Sequence, residues 1–92
     1  MEDNKIIITV SGTDKVGIVA KVSSVLAENK VNIEDIKQTL MQGHFVMFML
    51  CDIEKANVNF KDLKNILIET GNELEVEIWV QKKGIFEKMH TV

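Results

Sequence analysis

Residues 5–11 place Ile6, Ile8 and Val10 on one face of an extended segment, and apolar residues then recur at helical spacing in residues 16–30. The first pattern is rich in β-branched residues and predicts a strand. The second follows an i, i+1, i+4, i+7, i+8 stripe and predicts a helix packed along one face. Gly12–Asp14 is predicted as the turn between them, with Asp14 as N-cap, because its carboxylate can accept from the free amides of the first helical turn.

The next two segments, residues 31–42 and 44–53, are predicted as strands joined by a hairpin, because Gln42-Gly43 is a turn signal. In the first of them the alternation is imperfect, since Ile33 and Ile36 fall on opposite faces. A bulge or a late start of the strand would account for this irregularity. Residues 44–53 are apolar on both faces, which predicts a central strand covered on both sides.

A second helix and a fourth strand complete the pattern. Asn57 and Asn59 are candidate N-caps of the helix, and Gly71 is its predicted C-cap. Residues 74–82 alternate well and predict the last strand. In the tail that follows, residues 84–92, the apolar side chains at helical spacing are Ile85, Phe86 and Met89.

The order β-α-β-β-α-β predicts an α+β fold, the ferredoxin-like sandwich: a four-stranded antiparallel sheet with both helices on one face. In that arrangement the strands at 5–11 and 44–53 are central. The predicted organisation is an N-terminal tail (1–4), one domain (5–83) and a C-terminal tail (84–92) that can form a short helix. Because this fold carries many functions, it does not decide the function by itself.

Size and composition describe one ordinary globular domain. The chain has 92 residues, of which 46% are apolar and 27% charged, and it contains no apolar run long enough to span a membrane. The first residues are polar and acidic, unlike a secretion signal. Cys51 is the single cysteine, so no intrachain disulfide can form. We expect a cytoplasmic protein.

The charge pattern weighs against nucleic-acid binding. The net charge is −3, and all 11 basic residues are lysine. RNA-recognition modules share the predicted topology, and residues 43–48 (GHFVMF) resemble one of their motifs, but here Gln42 stands where that motif has a basic residue. Without arginine, an acylphosphatase-like phosphate loop is excluded as well.

Gly17 is the most unusual residue of the first helix, because glycine there costs the helix about 1 kcal/mol against alanine. One interpretation is ligand access: a missing Cβ opens the amides of Val16, Gly17 and Ile18 to an anion or carboxylate. The other is packing of the helix against a strand or a neighbouring chain. The residues alone favour neither. Lys15 is either a counter-charge for such an anion or a solvated loop lysine.

Two stretches around this glycine resemble the ACT domain: G-T-D-K-V-G-I-V-A-K-V in residues 12–22 and V-N-I-E-D-I in residues 31–36. The resemblance covers residues 5–82. Two further stretches, Q-T-L-M-Q-G-H-F-V-M and I-F-E-K-M-H, resemble a subfamily of short, free-standing ACT proteins of uncharacterised function. ACT domains are small β-α-β-β-α-β modules that bind amino acids or related metabolites in regulated enzymes.

The resemblance also implies how such a module works. ACT domains pair side by side or face to face, and the ligand lies between the first loop of one subunit and its neighbour. The family motif matches this chain at Asp14, Gly17, Ile18, Asn32 and Ile33. No catalytic or effector domain is attached here, so any output must reach another protein.

The sheet face away from the helices is predicted to carry large apolar groups, including Ile7, Trp79 and one side of the strand at 44–53. A patch of this kind is unusual on a monomer. A second subunit, the C-terminal tail, or tails exchanged between subunits could cover it. We therefore expect a homo-oligomer, most simply a dimer.

The sequence predicts a regulatory protein that binds a small molecule, an amino acid by class, and is not an enzyme. The ligand carboxylate would meet the amides near Gly17, and Asn32 or Asp35 would take the amine. Asp35 has the alternative role of an edge-strand charge that blocks unwanted pairing. The predicted ligand-binding residues are Asp14, Lys15, Val16, Gly17, Ile18, Asn32, Ile33 and Asp35.

Two other functions stay open beside this one. The chain could be an interaction module that binds no ligand and regulates a partner enzyme. An enzyme is the weakest alternative, since no acid–base pair or activated nucleophile is visible. Cys51 is expected to be an inert core thiol, and neither His44 nor His90 lies in a cluster with metal-ligand spacing. No cofactor is predicted.

Overall fold

The computed structural model describes residues 4–13 and 16–89 of the chain. Four strands and three helices follow one another along it. They are β1 (Lys5–Thr13), α1 (Ile18–Glu28), β2 (Asn32–Met41), β3 (His44–Asp52), α2 (Phe60–Leu74), β4 (Glu77–Lys82) and α3 (Lys83–Met89). This is the predicted β-α-β-β-α-β order with a short third helix added.

The four strands form one sheet in the order β2-β3-β1-β4, and all neighbouring pairs are antiparallel. The prediction that β1 and β3 are central is confirmed. The α+β class and the ferredoxin-like sandwich are confirmed as well. Two edges remain, β2 on one side and β4 on the other.

The hydrophobic core lies between the sheet and the helices α1 and α2. In β1 the predicted alternation holds, with Ile6, Ile8 and Val10 fully buried. In β3 the buried set is Phe45, Met47, Met49 and Cys51. The helices contribute a further set of buried apolar side chains: Ile18, Val22, Val25 and Leu26 from α1 and Leu63 and Leu67 from α2.

The other side of the sheet, here called the open face, carries the side chains that alternate with this core set. On β1 these include Ile7 and Thr9, which pair with Leu50 and Phe48 of β3. Trp79 of β4 pairs with Thr9 and lies on the same face. Phe48 and Trp79 keep 40% and 49% of their surface exposed, which is unusual for two large rings on one sheet face.

The irregularity predicted in β2 is a bulge. The register between β2 and β3 shifts between Ile33 and Asp35, so that Glu34 is the extra residue. Ile33 pairs with Cys51 and Ile36 with Met49, so the bulge brings both isoleucines to the helix side. One residue of slip therefore repairs the hydrophobic pattern.

The β2–β3 hairpin closes at Gln42 and Gly43, as predicted. Both residues have positive φ, 52° and 83°, which is the backbone of a two-residue type I′ turn. Such a turn matches the right-handed twist of the two strands.

The predicted end of the second helix is wrong. Gly71 does not cap α2; it lies within the helix, which continues to Leu74 and ends at Glu75 in the left-handed conformation with φ 61°. A Cβ on Gly71 would lie 2.8 Å from the carbonyl oxygen of Val76. Only a glycine allows this close approach. Because the helix is longer than predicted, the last strand begins at Glu77 rather than at residue 74. At the other end of α2, Asn59 is the N-cap, as predicted, and its side chain accepts from the Asp62 amide.

The tail after the domain forms α3, which follows β4 with no loop between them. α3 returns over the open face, where the rings of Phe86 and Phe48 meet edge-on with their centroids 6.2 Å apart. The predicted apolar turn thus uses Phe86 as its contact with the sheet. Ile85 is 55% exposed, and the side chain of Met89 and all of His90 lie outside the described residues.

Gly71→Ala tests the close approach between α2 and the start of β4. Because the new Cβ would overlap a backbone carbonyl, we expect a loss of about 1–3 kcal/mol in the free energy of unfolding. Gly84→Ala is the matched control, since a Cβ there meets nothing within 4 Å and α3 gains helix propensity. Chemical denaturation of both variants measures the difference. Equal stability of the two would contradict the packing role of Gly71.

Candidate functional site

The start of α1 is built around the backbone of Gly17. This residue is the N-cap and not part of the first turn as predicted, and its φ of 93° is one that side-chain-bearing residues rarely adopt. Lys21 donates its amide to the Gly17 carbonyl and closes the first turn. The helical amides that follow the cap belong to Ile18, Val19 and Ala20, so the predicted donors Val16 and Gly17 move by two positions.

The structure separates the two interpretations of Gly17. A Cβ added to it meets no atom of the described residues within 4 Å, so within one chain it makes no close packing contact. Its positive φ, rather than crowding, is therefore the backbone reason for a glycine at this position. As an N-cap without a side chain, it offers no acceptor to the amides of that turn.

The other predicted residues of this loop have different positions. Val16 is fully exposed next to Gly17, whereas the Ile18 side chain is buried in the core and only its backbone can face a ligand. Gly17, and not Asp14 as predicted, is the N-cap of α1, and no described side chain caps this helix start. The predicted ligand-binding roles of Asp14 and Lys15 stay predictions, since both residues lie outside the described residues.

Asn32, Ile33 and Asp35 do not join this loop within one chain. The 11 residues of α1, about 16 Å of helix, lie between Gly17 and the turn that leads to Asn32. Asn32 is exposed at the far end of the sheet, where it pairs with Asp52. Asp35 is exposed on the open face, opposite to the face that α1 covers. One small ligand cannot reach both groups of one chain.

Asn32 instead borders an open depression of about 650 Å³ at its own end of the sheet. The rim of this depression carries charges of both signs. Its lining residues are Lys30, Val31, Asn32, Asp52, Glu54 and Lys55. Sequence reasoning missed the two lysines and the two acids, because they come together only where α1 and β3 end and β2 begins.

Beside this depression, Lys5 joins two acidic side chains. Its ammonium lies 2.5 Å from a Glu34 oxygen and 3.1 Å from an Asp52 oxygen. The hydrogen bonds to Glu34 and then to Asp52 raise the pKa of Lys5. The Glu54 amide, followed by Lys5, lowers the pKa of Asp52. Since Glu34 is the bulge residue, this cluster fixes the bulge at one strand end.

Other candidate groups have structural partners. Cys51 is buried, and desolvation raises the pKa of its thiol to about 12, as expected of an inert core thiol. Ser11 Oγ and His44 Nε2 lie 3.0 Å apart on the open face. Within residues 4–13 and 16–89, no group of three or more His, Cys, Asp or Glu side chains could hold a metal ion.

A second cavity lies on the open face between α3 and the β2 edge, with a volume of about 240 Å³. We call it the α3 groove. Apolar side chains form most of it, and two charged residues of β2 stand at its side. The lining residues are Ile7, Asp35, Lys37, Phe48, Met49, Leu50 and Phe86.

Comparison with known proteins identifies the family. A profile of the ACT domain matches residues 4–81, which are β1 to β4 and both large helices. The chain belongs to the ACT domain family. The match ends just before α3, so this helix is an addition to the ACT domain.

Relatives of the same length occur in bacteria and archaea. A UPF0237 protein of Clostridium acetobutylicum is 53% identical over 96% of this chain and 99% of its own. A UPF0237 protein of Methanocaldococcus jannaschii is 47% identical over 97% of this chain and 99% of its own. These names state no activity.

Solved structures agree with the fold. An ACT domain protein from Streptococcus pneumoniae is 42% identical, with a TM-score of 0.78 over 90% of this chain and 93% of that one. The regulatory subunit of aspartate kinase from Thermus thermophilus has a TM-score of 0.68 over 87% of this ACT domain protein and 52% of that chain, at 21% identity. This second likeness is one of fold alone.

None of the described helices combines the length and the apolar character that crossing a bilayer requires.

The Lys5 cluster predicts how stability depends on pH. The depressed pKa of Asp52 stabilises the fold above about pH 4, and this contribution is lost as pH falls through the folded-state pKa. The raised pKa of Lys5 stabilises the fold at pH values below the ordinary lysine pKa. This stabilisation is lost as pH rises through the pKa of Lys5 in the folded state. Lys5→Met should lower the melting temperature slightly at pH 7 and change it least at pH 2. A difference in melting temperature between wild type and Lys5→Met that stays the same from pH 7 to pH 2 would contradict this.

Proposed function

We propose that this ACT domain protein is a cytoplasmic regulatory protein that binds a small metabolite, an amino acid by class, as a homo-oligomer and without catalysis. The observation that carries the proposal is the start of α1 in a chain of this family. There, an N-cap glycine in the left-handed conformation has no side chain to cap the first-turn amides, and no described atom lies within 4 Å of where its Cβ would be.

The physical chemistry of a helix start supports a carboxylate at this position. The first-turn amides point outward along the axis and carry a partial positive charge, which favours an anion. Because the cap has no side chain, the ligand can approach the backbone closely. The carboxylate would accept from the amides of Ile18 and the residues after it.

The separation of the two predicted halves supports an oligomeric site. Gly17 and Asn32 lie at opposite ends of α1, so a ligand that uses both needs Gly17 from one subunit and Asn32 from another. The exposed ring of Trp79, which lies outside the α3 groove, is an independent reason to expect a second subunit. Ligand binding and assembly should therefore depend on each other.

An interaction module that regulates a partner enzyme is the second candidate function. The observation in its favour is the same apolar surface: Phe48, Trp79 and Ile85 are all exposed, on the open face or on α3 above it.

A panel of amino acids and related acids in a thermal-shift experiment tests the main proposal. At about 100 times Kd, a ligand of the folded state adds about 2.7 kcal/mol. For a domain of this size that is a rise of roughly 10 °C or more in melting temperature. For amino acids with polar side chains, Gly17→Asn should abolish the rise, because asparagine tolerates the left-handed backbone but places its side chain over the amides.

Gly43→Asn is the matched control for this variant. Gly43 also has positive φ, 83°, and open space around it, but lies in the β2–β3 hairpin. It should keep the full ligand response. A full response from Gly17→Asn would overturn the assignment of the first-turn amides. No response from any compound, together with copurification of one protein, would favour the interaction module.

Sedimentation velocity at micromolar concentration tests the oligomer. We expect twice the chain mass or more, and a shift toward monomer for Trp79→Lys, which puts a charge on the open face. A wild-type chain that stays monomeric at this concentration would contradict a two-subunit site.

A further inference from the structure

The α3 groove lies on the face of the sheet that α1 and α2 do not cover, so it is separate from the start of α1. Its floor is apolar, formed by Ile7, Leu50 and the ring of Phe48. Phe86 of α3 forms a wall, held by its edge-on contact with Phe48 at 6.2 Å. An apolar group in this groove leaves water without losing any hydrogen bond.

Two opposite charges stand side by side along the groove. The alternation of β2 places Asp35 and Lys37 on the open face, two residues and thus about 6.6 Å apart along the strand. Both are exposed, and within the described part of the chain neither forms an ion pair. A carboxylate and an ammonium at the rim of an apolar groove are complementary to a molecule that carries both charges on an apolar body.

We propose that the α3 groove binds a small apolar zwitterion, an amino acid with an apolar side chain, in addition to the site at the start of α1. The ligand carboxylate pairs with the Lys37 ammonium, the ligand ammonium with the Asp35 carboxylate, and the side chain lies against Phe48 and Phe86. An apolar acid without an ammonium would leave Asp35 next to a like charge, and an apolar amine would do so with Lys37.

The size of the groove sets the size of this ligand. Its volume of about 240 Å³ corresponds to about eight water molecules at about 30 Å³ each. Sites for drug-sized molecules begin at about 300 Å³. A free amino acid fits these limits.

Because Phe86 belongs to α3, the ligand would contact both the sheet and the added helix. An occupied groove therefore holds α3 against the open face more firmly than an empty one. Hydrogen exchange of the α3 amides should slow when the ligand is added.

Titration of the full chain with L-leucine, followed by amide NMR shifts, tests the proposal. We expect saturable shifts at Ile7, Phe48 and Phe86. L-Serine, which lacks the apolar side chain, 3-methylbutylamine, which lacks the carboxylate, and 4-methylpentanoate, which lacks the ammonium, should each bind at least about tenfold more weakly, the effect of one lost contact.

Three variants give the sharper test. Lys37→Gln should weaken L-leucine about tenfold but should not weaken 3-methylbutylamine, which has no carboxylate to pair with Lys37. Asp35→Asn should also weaken L-leucine about tenfold but should not weaken 4-methylpentanoate, which has no ammonium to pair with Asp35. The exchange of both charges, Asp35→Lys with Lys37→Asp, should recover binding that Lys37→Asp alone loses. Lys64→Gln, an exposed lysine on α2, is the matched control and should change nothing.

The two proposals can fail separately. Gly17→Asn should leave the groove shifts intact. If L-leucine shifts only the amides at the start of α1, or if Lys37→Gln binds it like wild type, the groove proposal is overturned and the first site stands. The groove amides could instead be protected from hydrogen exchange increasingly with protein concentration, with no change on addition of L-leucine. A second copy of the chain would then occupy the groove, and this result also overturns the groove proposal.

Discussion

The bulge at Glu34 is the constraint on which the rest of the molecule depends. One extra residue in β2 returns Ile36 to the helix side beside Ile33, and the same step turns Asp35 and Lys37 to the open face. Ile33 thereby packs against the core, while Ile36 stays 37% exposed at the sheet edge. Two opposite charges come to stand beside an apolar cavity. Lys5 holds the bulge residue and the neighbouring strand end together.

The second constraint is the length of α1, which keeps the two ends of the sheet apart. Gly17 and Asn32 both belong to the family motif, but they lie at opposite ends of this helix. An ACT domain of this shape cannot enclose a small ligand with both groups of one chain. In the proposed site between two subunits, assembly and ligand binding are coupled in one equilibrium.

Much of this fold follows from local pattern. The alternation in β1, the Gln42-Gly43 turn and the Asn59 cap were all readable, because each depends on neighbouring residues. Gly71 was not, since its role comes from the Val76 carbonyl after the helix has turned back. The sheet face on which Asp35 lies could not be predicted either. A bulge was one of two explanations for the irregular alternation in this strand, and the position of the bulge depends on pairing with β3. The α3 groove has no local signal at all.

The junction between β4 and α3 has a consequence for how this chain can vary. Lys82 ends the strand and Lys83 begins the helix, so no flexible residue absorbs a change in length. A single inserted residue would rotate α3 by about 100°, since a helix has about 3.6 residues per turn. Phe86 would then leave the Phe48 ring and face solvent. Insertions and fusions should thus be tolerated beyond α3 but not before it.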